Sequence, residues 1–249
     1  VIPRNLDIKA QGGALRYSLL TDSWQALFGR ALSSPDFGHG SQASNVIREA
    51  YETAQMYLDR ETDLIAELTH QVAIEAQGLA SRKIANIDAD LLAVEAQTHL
   101  SETQQYLRDE IVAQIHRDIA NVRQSLQRAV LDVSMIARTR KLKDRAAVVA
   151  WRLSNDETLS FNFTDRRAHR TPSAKFVRGL WRQTMLSIHN ETTLFTIADH
   201  GLTSAGVFKT IEGVEEQVAT IHLDGDGPTY GEIRSTLFHP NSNAYLGAI

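Results

Sequence analysis

SNVIREAYETAQMYLDRETDLIAELTHQVAIEAQGL, residues 44–79, is the stretch that decides the fold. Ile47, Tyr51, Ala54, Leu58, Ile65, Leu68, Val72 and Leu79 recur at alternating spacings of four and three, with Glu61 and Glu75 standing in the gaps. Spacing that averages about 3.5 gathers apolar side chains on one seam of a helix, as in coiled coils and long antiparallel hairpins. A second run, Ile115, Ile119, Val122, Leu126, Ala129, Val133 and Ile136, repeats the pattern without a gap. No proline occurs between Pro35 and Pro172, and only Gly38, Gly40 and Gly78 interrupt that span, so the main helix breakers are nearly absent. Helices of about 35 residues would each be roughly 50 Å long, a rod and not a compact enzyme core. They fold back on themselves or pair with another chain, so a homo-oligomer is expected.

Outward from this region, LRYSLLTDSWQALFGRAL (15–32) reads as a first helix and residues 33–44 as a loop. Gly78, Asn86 and Asp88 are break or cap points, and Ser101 to Gln104 has the form of a capping box, a later helix start. Beyond residue 147 the pattern changes. AVVAWRL (147–153) and ETLSFNFT (157–164) read as strands. A helix spans 170–201, beginning at Pro172 or Ser173 and capped by Gly201. VFKTIEG (207–213) and QVATIHLDG (217–225) form a strand pair around Gly213, and the tail after Gly225 is mostly loop. The expected fold is mainly α: long coiled-coil-like helices or a helical hairpin over 1–145, then a small α+β domain over 146–249.

The 249-residue chain has a net charge of −4, unevenly spread, and no cysteine. Residues 138–182 hold 12 Lys/Arg against 4 Asp/Glu. Arg138, Arg140, Lys141, Lys143, Arg166, Arg167 and Arg170 are candidates to meet a nucleic-acid backbone or an acidic partner, against the plainer reading of a solvated face. Few aromatics interleave with them, so no stacking platform for single strands is indicated. Apolar runs fall far short of the roughly 20 residues a membrane span needs, so no membrane partner is expected.

Chemistry-bearing residues crowd into TIHLDGDGPTYGE (220–232) and FHPNSNAYLGAI (238–249). Without cysteine, a metal would need imidazole and carboxylate, and His222, Asp224, Asp226 and His239, with Asp199 or His200, are the ligand candidates for a metal-dependent nuclease or toxin. His222 and Asp224 share a strand face, but Asp226 falls in a Gly-rich turn. The H-x-D-x-D spacing matches no defined metal-site geometry, and turn chemistry accounts for Asp-Gly and His-Pro-Asn. Phosphate-loop, dinucleotide-turn and nucleophile-elbow motifs are missing from the sequence. No catalytic residue and no cofactor are assigned.

The order of these pieces resembles the C-terminal domain of phage minor head proteins of the Mu F-like, or head-morphogenesis, type. In that family an amphipathic helix reaches a glycine, a strand leads to a turn H-x-x-L-D-G, and H-P-N-C-R follows near the end. Here the pieces are Ala198 to Gly201, then His222, Leu223, Asp224 and Gly225, then His239, Pro240 and Asn241. His222 lies one residue closer to Leu-Asp-Gly, and Ser242-Asn243 replaces Cys-Arg. The resemblance covers about residues 170–249 and leaves out the long helices. It implies a non-enzymatic virion protein assembled in the host cytoplasm, set near the portal or inside the head. Portal or capsid proteins, and packaged DNA, would be its partners. A general coiled-coil adaptor is the remaining alternative.

Overall fold

The computed structural model describes residues 2–34, 40–85, 92–154, 159–212, 214–238 and 242–249. Among them, four helices dominate: α1 (Ile2–Ser33), α2 (Gly40–Ala85), α3 (Val94–Arg140) and, later, α5 (Ser173–Asp199). Two short helices, α4 (Asp144–Ser154) and α6 (Tyr230–Leu237), complete the helical set. Strands β1 (Asn162–Thr164) and β2 (Arg170–Pro172) pair with each other. Strands β3 (Ser204–Ile211), β4 (Val214–His222) and β5 (Ala244–Gly247) form an antiparallel sheet in the order β4-β3-β5. The fold is therefore mainly helical with a small C-terminal sheet. No helix among the described residues is long and apolar enough to cross a membrane.

Helices α2 and α3 run for 46 and 47 residues, longer than the sequence pattern implies. At about 1.5 Å per residue each is roughly 70 Å long. The seam predicted on α3 is buried from Ile115 through Val133. On α2 the seam rotates away from the predicted one: Tyr51 and Leu79 are exposed, while Val46, Ala50, Ala76 and Ala80 are buried beside Ile65 and Val72. A helix with about 3.6 residues per turn drifts about 20° per heptad against a 3.5 repeat, so a long seam without supercoiling slides onto neighbouring positions.

Several local expectations are corrected. Helix α1 begins at Ile2, not near residue 15, because Pro3 sits in the first turn, where its missing N–H costs nothing. Helix α2 starts at Gly40, inside the expected loop. The Ser101 capping box starts nothing: α3 passes through it, since no Gly or Pro falls between 94 and 140. AVVAWRL is helix α4 and not a strand. Ala147, Val148 and Trp151 are its buried residues, an i, i+1, i+4 set that only a helix brings to one face. The tail also holds more structure than expected. Thr229 and Glu232 form a reciprocal capping box that starts α6, and β5 follows. Asn86, Asp88 and the Gly213 turn lie outside the described residues.

The chain resolves into two compact units drawn from separated stretches: one comprises 1–13, 62–110 and 178–249, the other 14–61 and 111–177. In the first, α5 is buried without a break from Thr184 to Asn190, as befits a helix covered on every side. Its Schellman ending closes as expected at Gly201, whose φ is +71°: Gly201 N–H donates to Ala198 O and Leu202 N–H to Ile197 O. In the second unit, Tyr17, Trp24, Phe28, Ile111, Ile115, Ile119, Leu126 and Trp151 make the core. Trp24 donates to the Ala50 carbonyl at 3.1 Å, which satisfies its buried indole N–H.

Candidate functional site

In the first unit, helix α5 meets the C-terminal strand with polar side chains. Arg182 Nε donates to Asp7 Oδ1 at 2.6 Å, and its Nη2 donates to the Ser242 carbonyl at 2.5 Å. Ser242 Oγ accepts from Ala244 N–H at 3.0 Å, starting β5. Asn190 Oδ1 accepts from Leu246 N–H at 2.9 Å. His189 Nε2 lies 3.0 Å from the Leu246 carbonyl, and since a carbonyl only accepts, Nε2 carries the proton. Burial lowers the pKa of His189 to about 4, so its imidazole is neutral at physiological pH. Gly206 and Gly247 face each other across β3 and β5. A Cβ on either would come within 2.7 Å or 2.9 Å of the Phe208 ring, so the glycine pair makes room for that ring.

The turn after β4 is organised by its own polar groups. His222 N–H donates to the Pro228 carbonyl at 2.9 Å, and the chain folds back so that a Cβ at Gly227 would meet the His222 ring at 2.4 Å. Asp224 Oδ1 accepts from Asp226 N–H at 3.2 Å, an Asx turn completed by Gly225 with φ +86°. That backbone bond is the main influence holding the Asp224 carboxyl below its usual range. Leu223, half out of the sheet, donates its N–H to the Thr203 carbonyl.

Of the predicted metal ligands, the structure brings His222 and Asp224 together, Nδ1 to Oδ1 at 3.9 Å. No group of three or more His, Asp or Glu side chains among the described residues could hold a metal ion. His200 is engaged with the Thr196 carbonyl on its own helix at 2.8 Å. His239, Pro240 and Asn241 lie outside the described residues.

The predicted basic residues all belong to the second unit. Arg138 and Arg140 are exposed on the last turn of α3, and Lys141, with φ +52°, turns the chain out of it towards Lys143. Arg166 and Arg167 sit in the β1–β2 turn, which Asp165 shapes by accepting from Arg167 N–H at 2.9 Å and His169 N–H at 2.8 Å. Arg170, on β2, lines a strongly polar cleft of about 440 Å³. One wall of this cleft is a stripe of α3, Arg117, Asn121, Gln124 and Arg128, and the other is the stretch from Leu159 to Thr164. Asn121 ties the walls together by donating to the Ser160 carbonyl at 2.6 Å.

The sequence reading did not single out this cleft. A signal was present, because 117, 121, 124 and 128 follow the same four-three-four spacing as the apolar seam beside them. The second wall comes from some 40 residues further along the chain, which periodicity cannot reveal. At the cleft floor, Asp118 accepts from Tyr17 (2.7 Å), Gln114 (3.1 Å) and Ser173 (3.0 Å). Burial is the main influence raising its pKa, against those hydrogen bonds.

No protein-family model, curated protein or solved structure matches this chain.

Proposed function

We propose that this chain is a non-enzymatic structural protein of a phage virion, associated with the head or the portal. The observation that carries the reading is the use made of polar residues in the C-terminal segment. Arg182, His189, Asn190 and Ser242 hold the last strand in place, and His222 and Asp224 build the turn of the H-x-D-G segment. Helix, glycine cap, strand and Asp-Gly turn follow in the order of the minor head domain that the sequence resembles. The long helices α2 and α3 supply length suited to assembly.

The test is the particle. Quantitative mass spectrometry of purified heads should find the chain at a fixed copy number relative to the portal protein. Its absence from particles would remove the virion reading and leave an adaptor of another kind. Stoichiometric metal in the purified protein, with DNA cleavage lost in His222→Ala, would replace the structural role with a nuclease.

A further inference from the structure

We propose that the cleft between α3 and the β1–β2 segment binds the phosphate backbone of duplex DNA through Arg117, Arg128 and Arg170. The three line one cleft, and each is exposed. None forms an ion pair with a carboxylate among the described residues, unlike Arg16, Arg48 and Arg182. The stretch 111–177, which supplies nearly the whole lining, carries 13 Lys/Arg against 6 Asp/Glu, a local excess of +7 in a chain of net charge −4.

Arg117 is held for this task. Its Nε donates to Gln114 Oε1 at 2.9 Å, and its guanidinium lies 5.3 Å from the Phe163 ring and 5.9 Å from the Phe176 ring. Those two rings are stacked at 3.9 Å, a rigid base that leaves the Nη donors for an anion. A guanidinium fork matches two phosphate oxygens at once, and ordering it beforehand reduces the entropy lost on binding. The carboxylate at the floor, Asp118, is already engaged by Tyr17, Gln114 and Ser173.

Spacing fits a polymer better than a single small anion. Arg117 and Arg128 are eleven residues apart on one helix face, roughly 16 Å along its axis. That is about five nucleotide rises of one strand of duplex DNA. Phe28, the aromatic ring in the cleft lining, is itself buried, so the contact is to backbone and not to stacked bases.

This deepens the virion reading by naming the surface that would meet packaged DNA, yet its chemistry is tested separately. Fluorescence anisotropy of the full chain with labelled mixed-sequence duplex DNA is compared with Arg117→Gln/Arg128→Gln/Arg170→Gln. Three phosphate contacts contribute about 2.7 to the slope of log affinity against log salt. Between about 50 and 200 mM salt the parent chain should therefore lose about 40-fold more affinity than the triple variant. Arg4→Gln/Arg48→Gln/Arg108→Gln removes the same charge from exposed residues elsewhere and should keep the parent slope. The triple Arg→Lys variant, and Arg128→Gln alone, cover the case in which the first variant fails to fold; the first should keep most of the slope and the second should lower it by about 0.9. Equal loss in both Gln triples would reduce the effect to net charge and overturn the site. So would competition by polyglutamate as strong as that by DNA, or tight displacement by inorganic triphosphate, which would assign the cleft to a small phosphate compound. Particles that contain the protein, together with a chain that does not bind DNA, would sink this inference and leave the structural role standing.

Discussion

Gly13→Ala should destabilise the protein although the same change elsewhere in its helices stabilises it. Gly13 is buried on α1, and a Cβ there would stand 2.3 Å from Trp181 Cδ1, 2.4 Å from Nε1 and 2.8 Å from Cγ. Non-bonded heavy atoms in contact sit about 3.5–4.0 Å apart, so the overlap exceeds about 1 Å against two atoms of one rigid ring and is about 0.7 Å or more against the third. Trp181 has no exposed surface and cannot swing into solvent. Overpacking of this kind costs about 1–3 kcal/mol, and the rigidity of the ring places this case at the upper end. Replacing a helical Gly by Ala returns about 1 kcal/mol of backbone entropy, leaving a net loss of about 2 kcal/mol. Gly29 and Gly179 are also helical, and a Cβ at either meets nothing within 4 Å. Each of those substitutions should raise stability by about 0.5–1 kcal/mol. Urea unfolding followed by circular dichroism, on the three variants side by side, measures the contrast. A Gly13→Ala protein as stable as the other two would refute the close approach of α1 to Trp181.

Two further outcomes follow from the α5 contacts. The buried neutral His189 has a folded-state pKa of about 4, below its ordinary 6.5, so the unfolded chain binds its proton first as pH falls. Its contribution is complete above about pH 6.5 and is lost towards pH 4, about 3 kcal/mol in all. The stability gap between the parent and His189→Gln should accordingly shrink over that interval in denaturant titrations; a gap flat with pH would contradict the assignment. Arg182→Leu removes the bonds to Asp7 and Ser242 and should cost about 3 kcal/mol, with faster amide exchange at Tyr245 and Leu246. Arg182→Lys should rescue little, because one ammonium cannot reproduce the fork; full protection in the Lys variant would argue against the clamp.

How much of this was legible depends on the range of the signal. The α3 seam was readable because Ile115 to Val133 satisfy one another at a spacing visible in a single window. On α2 the same rule placed Tyr51 and Leu79 in a seam that helical drift carries away from them. Val148, Val149 and Trp151 suggested a strand by residue type, whereas burial of 147, 148 and 151 followed helical geometry. The Thr229–Glu232 capping box was written in the sequence, but the Asp-Gly-Pro turn in front of it drew the reading towards loop. The arginine cleft had half its signal in the α3 stripe; the other half depends on β1 and β2, and no local pattern pairs them with a helix 40 residues upstream. His189 and Asn190 looked like ordinary helix residues, because their partner, Leu246, lies more than 50 positions away.

Arg182 carries a consequence for the order in which the chain takes shape. One guanidinium holds Asp7 and Ser242, groups separated by 235 positions, and its bond to Asp7 alone spans 175. The unit that contains it gathers three stretches, the first at the beginning of this sequence and the third at its end. As a ribosome releases the chain, Asp7 emerges 235 residues ahead of Ser242, so this clamp closes only after that interval. Pairings this remote form slowly, because the entropy of closing a long loop is lost before the contact is gained. Until Ser242 is made, the guanidinium can hold only Asp7, so the closing strand is fastened after the helices that receive it.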